Sequence, residues 1–420
     1  MKRLRRFQDC TNHNKACNGR KRCFQGRLAS VIALLFCLAL LSGGCWDRRE
    51  LSETAIILAA GVDRTPDGEI RLTAQLARPA AFGGGTEGGG GATSLNQNLV
   101  WVVSATGETI LDAQRNLALQ VPRHLYWGHC ILLLWGEEAA RHGVRNYTNF
   151  IHRNPQPRPT MWVMATPGEA KKVLESHSEM EKSSAQSIGY LFRMGAGLSM
   201  EFKDFIHDLA AYGINPVAPR VELRRQGEPQ GPGMEKMHKH EEVVITGTAV
   251  FNDDKLAGWL DESETRGLLW LRGKIRRGIV VAPFRNGKVS FAIIRSHTRI
   301  EPEYDGEKIR FLVRVVTEGN LLEQQGRYDL NEPGVTGELE ENIKREIEKK
   351  IEEALVKGQG EYGVDIFGFG EAFHRKYKKE WKAIKHNWNE EFKNAEISLE
   401  VEAHLRNTGL QIRRPSIKRE

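Results

Sequence analysis

Residues 243–299 read VVITGTAVFNDDKLAGWLDESETRGLLWLRGKIRRGIVVAPFRNGKVSFAIIRSHTR, and this stretch decides the fold class. Four runs within it, Val243–Phe251, Lys255–Leu260, Gly278–Phe284 and Val289–Arg299, are dense in β-branched and aromatic side chains and predict strands. One amphipathic segment, Glu262–Leu271, predicts a short helix between them. The strands fall beside one another as hairpin-like neighbours instead of alternating one by one with helices. That order predicts an α+β fold with mostly antiparallel sheets flanked by helices, and argues against a doubly wound sheet.

Working outward towards the N-terminus, Thr54–Val62 predicts a buried strand and Ile70–Leu76 a half-exposed one, with Asp67-Gly68 as the turn between them. The run Gly83–Gly91 lacks any phosphate-loop spacing and predicts a plain loop. A strand at Leu99–Val103 precedes a helix over Thr106–Val121, whose Ile110, Ala113, Leu117 and Val121 share a face. Further strands are expected at Cys130–Trp135 and Met161–Ala165, a helix from Glu137, and another opened by Pro167-Gly168-Glu169. Gln226–Gly233, continued by Met234–Glu242, is the best linker in the chain.

Towards the C-terminus come a strand at Lys308–Val316, a helix over 337–357, a second helix near Glu371–Asn394 and a last strand at Glu396–Leu405. In the 337–357 helix, Leu339, Ile343, Ile347, Ile351 and Leu355 recur every fourth residue, a stripe expected to pack on the protein's own sheet. Glu340–Lys344, Glu341–Arg345 and Glu346–Lys350 are spaced to pair on its outer surface. The expected organisation is three domains after a leader at 1–44: an N-terminal one at 45–225, a linker at 226–242, a β-rich middle at 243–300 and a C-terminal one at 301–420.

The 420 residues, 40% hydrophobic and 27% charged, suffice for two or three cored domains. The net charge of +7 would suggest a phosphate-bearing partner. Nine Lys/Arg and a single acid lie in residues 1–44, however, so the remainder of the chain is close to neutral. Those residues have the order of an export signal: a basic stretch ending at Arg27, an apolar run Leu28–Leu41 too short to span a bilayer, then Ser42-Gly43-Gly44-Cys45. Small residues before a cysteine resemble a bacterial lipobox, although Ser42 stands where an apolar residue is usual. Cys45 is therefore the expected lipid-attachment site, a diacylglyceryl-cysteine holding the protein to a membrane. Export makes nucleic acid a poor partner. Beyond Cys45 only Cys130 remains, so no disulfide framework is expected.

No catalytic constellation emerges. His238-Lys239-His240 lacks a third ligand, Asp261, Glu262 and Glu264 read as a helix N-terminus, and neither G-x-S-x-G nor H-E-x-x-H occurs. Asp365-Ile-Phe-Gly only superficially matches the kinase D-F-G signature, and Cys130 sits among leucines as a small buried residue. The expectation is a protein that is not an enzyme, without cofactor or metal. The basic run Arg272–Arg277 could face a membrane or a partner, a solvated face being its plain alternative.

Several segments together resemble one family. Cys45-Trp-Asp-Arg-Arg-Glu-Leu51 leads into a strand ending Gly61-Val-Asp63; Val250–Val281 forms a central block; Asp365-Ile-Phe-Gly-Phe-Gly-Glu371 is followed by Tyr377, Trp381 and Trp388. His129–Arg153 and the final strand ending near Thr408-Gly409 fit more loosely, and Lys378 departs from the proline usual after the tyrosine. The set resembles the Ger(x)C family, C-subunit lipoproteins of spore germinant receptors. The resemblance implies a three-domain α+β fold, no enzymatic activity and a place on the outer face of the spore inner membrane. It implies A and B membrane subunits as partners, with the GerD scaffold lipoprotein as a further candidate. Trp259, Arg272, Arg276, Phe369 and Trp381 are the candidate partner interface, although Trp259, Trp270, Trp381 and Trp388 are read first as core aromatics, with an interface role as the alternative. The runner-up reading is a solute-binding lipoprotein feeding a transporter, which requires a ligand-sized cleft between two similar lobes. An exported hydrolase would require titratable groups converging in a pocket.

Overall fold

The computed structural model describes residues 50–78, 99–176, 181, 183–195, 197–225, 241–325 and 332–407. Cys45, the 83–91 glycine run, the histidines at 238 and 240, most of the 226–242 segment and Thr408-Gly409 lie outside the described residues. Residues 55–420 make one compact unit carrying both sheets and the apolar cores.

The first sheet begins with β1 (Thr54–Arg64), β2 (Ile70–Ala77) and β3 (Val100–Gly107), a meander followed by α1 (Ile110–Ala118). The short β4 (His124–Tyr126) leads to β5 (Leu132–Gly136), α2 (Glu137–His142) and α3 (Arg145–Arg153). Then come β6 (Trp162–Thr166), α4 (Ala170–Glu175), α5 (Ser184–Met194), α6 (Phe202–Ala210), β7 (Val217–Arg225), β8 (Glu241–Asn252) and β9 (Lys255–Leu260). Its strand order is β3-β2-β1-β5-β6-β7-β8-β9, with β4 beside β1. The outer pairs are antiparallel, while β1, β5, β6 and β7 run parallel, joined by helical crossovers. The centre reads as buried apolar runs (Leu132–Trp135, Val163–Ala165) because both faces are covered.

After α7 (Glu262–Leu271) the second sheet forms from β10 (Ile279–Phe284), β11 (Gly287–Tyr304) and β12 (Ile309–Gln324). The long α8 (Val335–Leu355) ends in a π-type turn and is followed by α9 (Phe369–Lys376), α10 (Lys378–Ile384), α11 (Trp388–Asn394) and β13 (Glu396–Asn407). The order is β10-β11-β12-β13, antiparallel except for the last pair. This is the mixed α+β architecture expected, with antiparallel pairing dominant.

The sheets divide the chain differently from the expected boundaries. The segment expected as an inter-domain linker joins β7 to β8, which pair from Val217↔Val250 to Arg225↔Glu241, so it closes a hairpin inside one sheet. Residue 300 falls within β11. The β-rich middle stretch is thereby split, β8 and β9 completing the first sheet and β10 and β11 founding the second.

Local chemistry explains the shifted helices. Thr106 and Gly107 continue β3, and α1 starts only after Thr109, whose hydroxyl accepts the Asp112 N–H at 3.2 Å. Pro167 does not open α4. That helix begins at Ala170, where the buried Asp63 carboxylate accepts the Ala170 and Lys171 N–H groups at 2.6 and 3.0 Å. The single helix expected over 371–394 is broken at Tyr377 and again at residues 385–387. The rings explain it: Phe369 and Phe392 lie 5.5 Å apart, whereas 23 residues of straight helix would span about 35 Å.

The α8 stripe packs inward as expected, with Leu339, Ile343, Ile347 and Ile351 fully buried against α7, β10 and β13. Gly267 of α7 permits this close crossing, because any Cβ there would overlap the Lys350 carbonyl. Of the three expected surface pairs, Glu341–Arg345 forms at 3.6 Å. Glu340 instead accepts the Leu405 N–H at 2.8 Å, and Lys350 donates to the Ser263 hydroxyl at 3.1 Å.

The face of the second sheet away from these helices carries ladders of paired charge. Glu318 accepts from Arg406 and Arg295, each at 2.8 Å, which holds its carboxyl down at about 2 against an ordinary 4.5. Its ionised form is thus favoured by folding. This contribution is complete above pH 4.5 and lost as pH falls towards 2. Melting temperatures of the wild type and an Arg295→Ala/Arg406→Ala variant should therefore differ at neutral pH and converge near pH 2. Parallel curves down to acid would remove Glu318 from the account.

Candidate functional site

The most concentrated polar chemistry in the described chain is a buried hub where α6, α7, the β8–β9 turn and the 365–370 segment meet. Asp365 is fully buried. One carboxylate oxygen accepts the N–H groups of Phe367 (3.0 Å) and Gly368 (2.8 Å); the other accepts the Gly370 N–H (2.7 Å) and the Trp388 indole N–H (3.0 Å). The chain therefore coils around its own side chain. Gly368, at φ 96°, supplies the left-handed residue that turns the backbone into α9. Burial pushes the Asp365 carboxyl above its ordinary range, and the four donors pull against that rise.

Arg272, at the end of α7, reaches the same place. Its guanidinium donates to the Ile366 carbonyl (2.6 Å), the Asp208 carboxylate (3.0 Å) and the Asn215 carbonyl (3.2 Å). The Arg272 and Asp208 side chains are only 4% and 10% exposed. Asn215 adds three further links: its N–H donates to the Asp365 carbonyl (2.6 Å), its side-chain oxygen accepts from the Asp253 N–H (3.0 Å), and its amide donates to Asn389 (3.1 Å). Backbones touch here as well, since a Cβ on Gly213 would lie 2.7 Å from the Gly370 carbonyl carbon. The hub thus clasps segments from both sheets.

Above it lies a polar groove of about 420 Å³ lined by Arg145, Asp208, Asn215, Asp253, Lys385 and Glu390, among others. Tyr212 stands exposed at its rim, with the Lys385 ammonium 4.7 Å from the ring centre and the His386 ring at 5.0 Å. Nothing in this groove forms a nucleophile–base pair. Among the described residues no three His, Cys, Asp or Glu side chains group to hold a metal. Burial pushes the Cys130 thiol up to about 12, which keeps it protonated and inert at neutral pH. Asp261 and Glu264 are spent on a reciprocal capping box at the start of α7, each accepting the other's N–H at 2.8 Å.

The expected partner interface does not survive as a surface. Arg272 is buried in the hub, Phe369 is fully buried between Phe311 and Phe392, and Trp381 is buried against His374 and Trp388. Arg272 and Phe369 are interior because their partners come from distant segments, and Trp381 because the short helices around it fold its neighbours His374 and Trp388 onto its ring. Trp270 and Trp388 are buried too. Trp259 is half-buried under the Arg220 guanidinium, its backbone held on both sides by the Tyr362 hydroxyl at 3.1 and 2.9 Å. Arg276 alone of the five is exposed. Sequence reasoning missed Asp208, Asn215 and Tyr212, and placed Asp365 in a family-like segment without a structural role. The spaced glycines after Asp365 were the one available signal.

Comparison with known proteins places this architecture. Residues 47–223 match a family described as spore germination protein N-terminal domain, and residues 246–409 match spore germination B3/GerAC like, C-terminal. Spore germination protein KC of Bacillus subtilis (strain 168) is 29% identical over 398 residues, covering 91% of this chain and 96% of that protein. Spore germination protein B3 of the same organism is 23% identical, over 91% and 99%. The crystal structure of the GerBC protein shares the fold with a TM-score of 0.54 at 19% identity, covering 83% of this chain and 97% of that one. The two family matches, one on each side of the β7–β8 connection and together spanning most of the chain, identify it as a member of the Ger(x)C family, the GerAC-like spore germination proteins.

Proposed function

We propose that the chain is the non-catalytic C subunit of a nutrient germinant receptor, needed for spore germination. In this reading it is lipid-anchored through Cys45 on the outer face of the spore inner membrane and works with polytopic A and B subunits, with the GerD lipoprotein as a further partner. The observation that carries the reading is the pair of germination-family matches, at 47–223 and 246–409, beginning two residues after the lipobox-like Ser42-Gly43-Gly44-Cys45. The hub supports it, since Asp365, Arg272 and Asn215 spend their polar groups on backbone and on neighbouring side chains that tie the chain together.

Two measurements test it. Purification from detergent-solubilised spore membranes should recover A- and B-like subunits with this chain. A solitary protein carrying a small molecule would favour the solute-binding alternative. Cys45→Ala should shift the protein from the membrane fraction to the soluble one, because loss of both acyl chains leaves no comparable anchor. Unchanged fractionation would remove lipidation as the tether.

A further inference from the structure

We propose that the β10 end of the second sheet docks directly on an anionic lipid surface. Along β10, Val280, Ala282 and Phe284 are buried, whereas Ile279 and Val281 point out from the opposite face. Register places them beside two more outward apolar side chains. Ile279 pairs with Ala292 and through it with Asn320; Val281 pairs with Ser290 and through it with Glu323. Ile294 and Leu322 are the extra residues at the two irregularities in the β11–β12 ladder, and both stand out from the sheet. These four side chains are between 48% and 66% exposed.

Charge marks the same end. Arg276 and Arg277 are exposed immediately before β10 and form no ion pair among the described residues. The acids nearest these side chains do not cancel that charge: Glu318 is paired with both Arg295 and Arg406, and Glu323, which accepts from the Ser290 hydroxyl at 3.2 Å, is a single carboxylate against the two free arginines. The local excess is therefore positive, beside apolar groups that no part of the described chain covers. Pro283 deprives the β10 edge of an N–H, so addition of another protein's strand is disfavoured there. A bilayer interface fits both features, taking shallow apolar side chains between headgroups while anionic lipids attract arginine. The inference deepens the membrane placement proposed above, yet it rests on this surface and not on Cys45.

The test uses residues 46–420, which contain the whole compact unit and no acylable Cys45, so failure here leaves the lipid-anchor reading untouched. The protein should co-sediment with phosphatidylcholine vesicles containing phosphatidylglycerol and not with phosphatidylcholine alone. Arg276→Ala/Arg277→Ala should weaken the partition about 30-fold, at roughly fivefold per arginine. Molar salt, which contracts the screening length from about 10 to about 3 Å, should act likewise. Ile279→Ser/Val281→Ser should weaken it as well; the arginine pair lies outside the strand and carries the test if the sheet variant unfolds. Equal sedimentation with neutral vesicles, or an arginine variant that partitions like the wild type, overturns the proposal. So does loss of subunit co-purification in these variants with vesicle binding unchanged, which would make the face a protein interface.

Discussion

Arg272→Ala should cost about 3–5 kcal/mol of stability, the range for removing one partner of a buried ion pair. The guanidinium neutralises the buried Asp208 carboxylate and satisfies the carbonyls of Ile366 and Asn215. Alanine leaves the largely buried charge and both carbonyls without their donor at the floor of the polar groove. Because whole domains are stable by only about 5–15 kcal/mol, the loss is a large share of the total. Urea denaturation of the single and double variants measures it. Asp208→Asn introduced into Arg272→Ala should recover part of the loss, since it removes the unpaired charge. A decrease below about 1 kcal/mol would show that the clasp is dispensable.

Asp365→Ala should be at least as damaging. It orphans four buried donors at once, each worth roughly 1–3 kcal/mol when left unsatisfied. Asp365→Asn is informative because its shape is conserved. One oxygen can still accept from Phe367 and Gly368, but an NH2 group then faces the Gly370 and Trp388 donors. The alanine variant should not accumulate as folded protein, and the asparagine variant should fold with an altered Trp388 emission and a lowered denaturation midpoint. An asparagine protein as stable as the wild type would mean that the carboxylate charge does not organise this turn.

These residues also mark the limit of what could be read from the chain. Glu262–Leu271 and Lys255–Leu260 are predicted and found with the same bounds, because their signals are local: a capping box at one and a short non-polar run between the Asp253-Asp254 turn and Asp261 at the other. The α8 stripe needed only its four-residue period to be assigned to the core. The break in 371–394 was invisible, since no proline interrupts it and aromatic rings from both ends decide the bend. Arg272 looked like the first of a basic surface run. Its partner Asp208 is 64 residues away, so nothing in the neighbouring sequence distinguishes it from Arg276.

Period, capping and turn chemistry therefore determined most elements and the α+β class, and the leader at 1–44, the motifs and the family resemblance carried the expectation of an exported, non-enzymatic chain, because each signal is written in contiguous residues. The tertiary structure alone decided that β8 and β9 complete the first sheet, that Asp365 is a structural centre, and that Arg272, Phe369 and Trp381 are interior while Ile279 and Val281 are not. Burial and pairing between distant segments depend on which surfaces meet after folding.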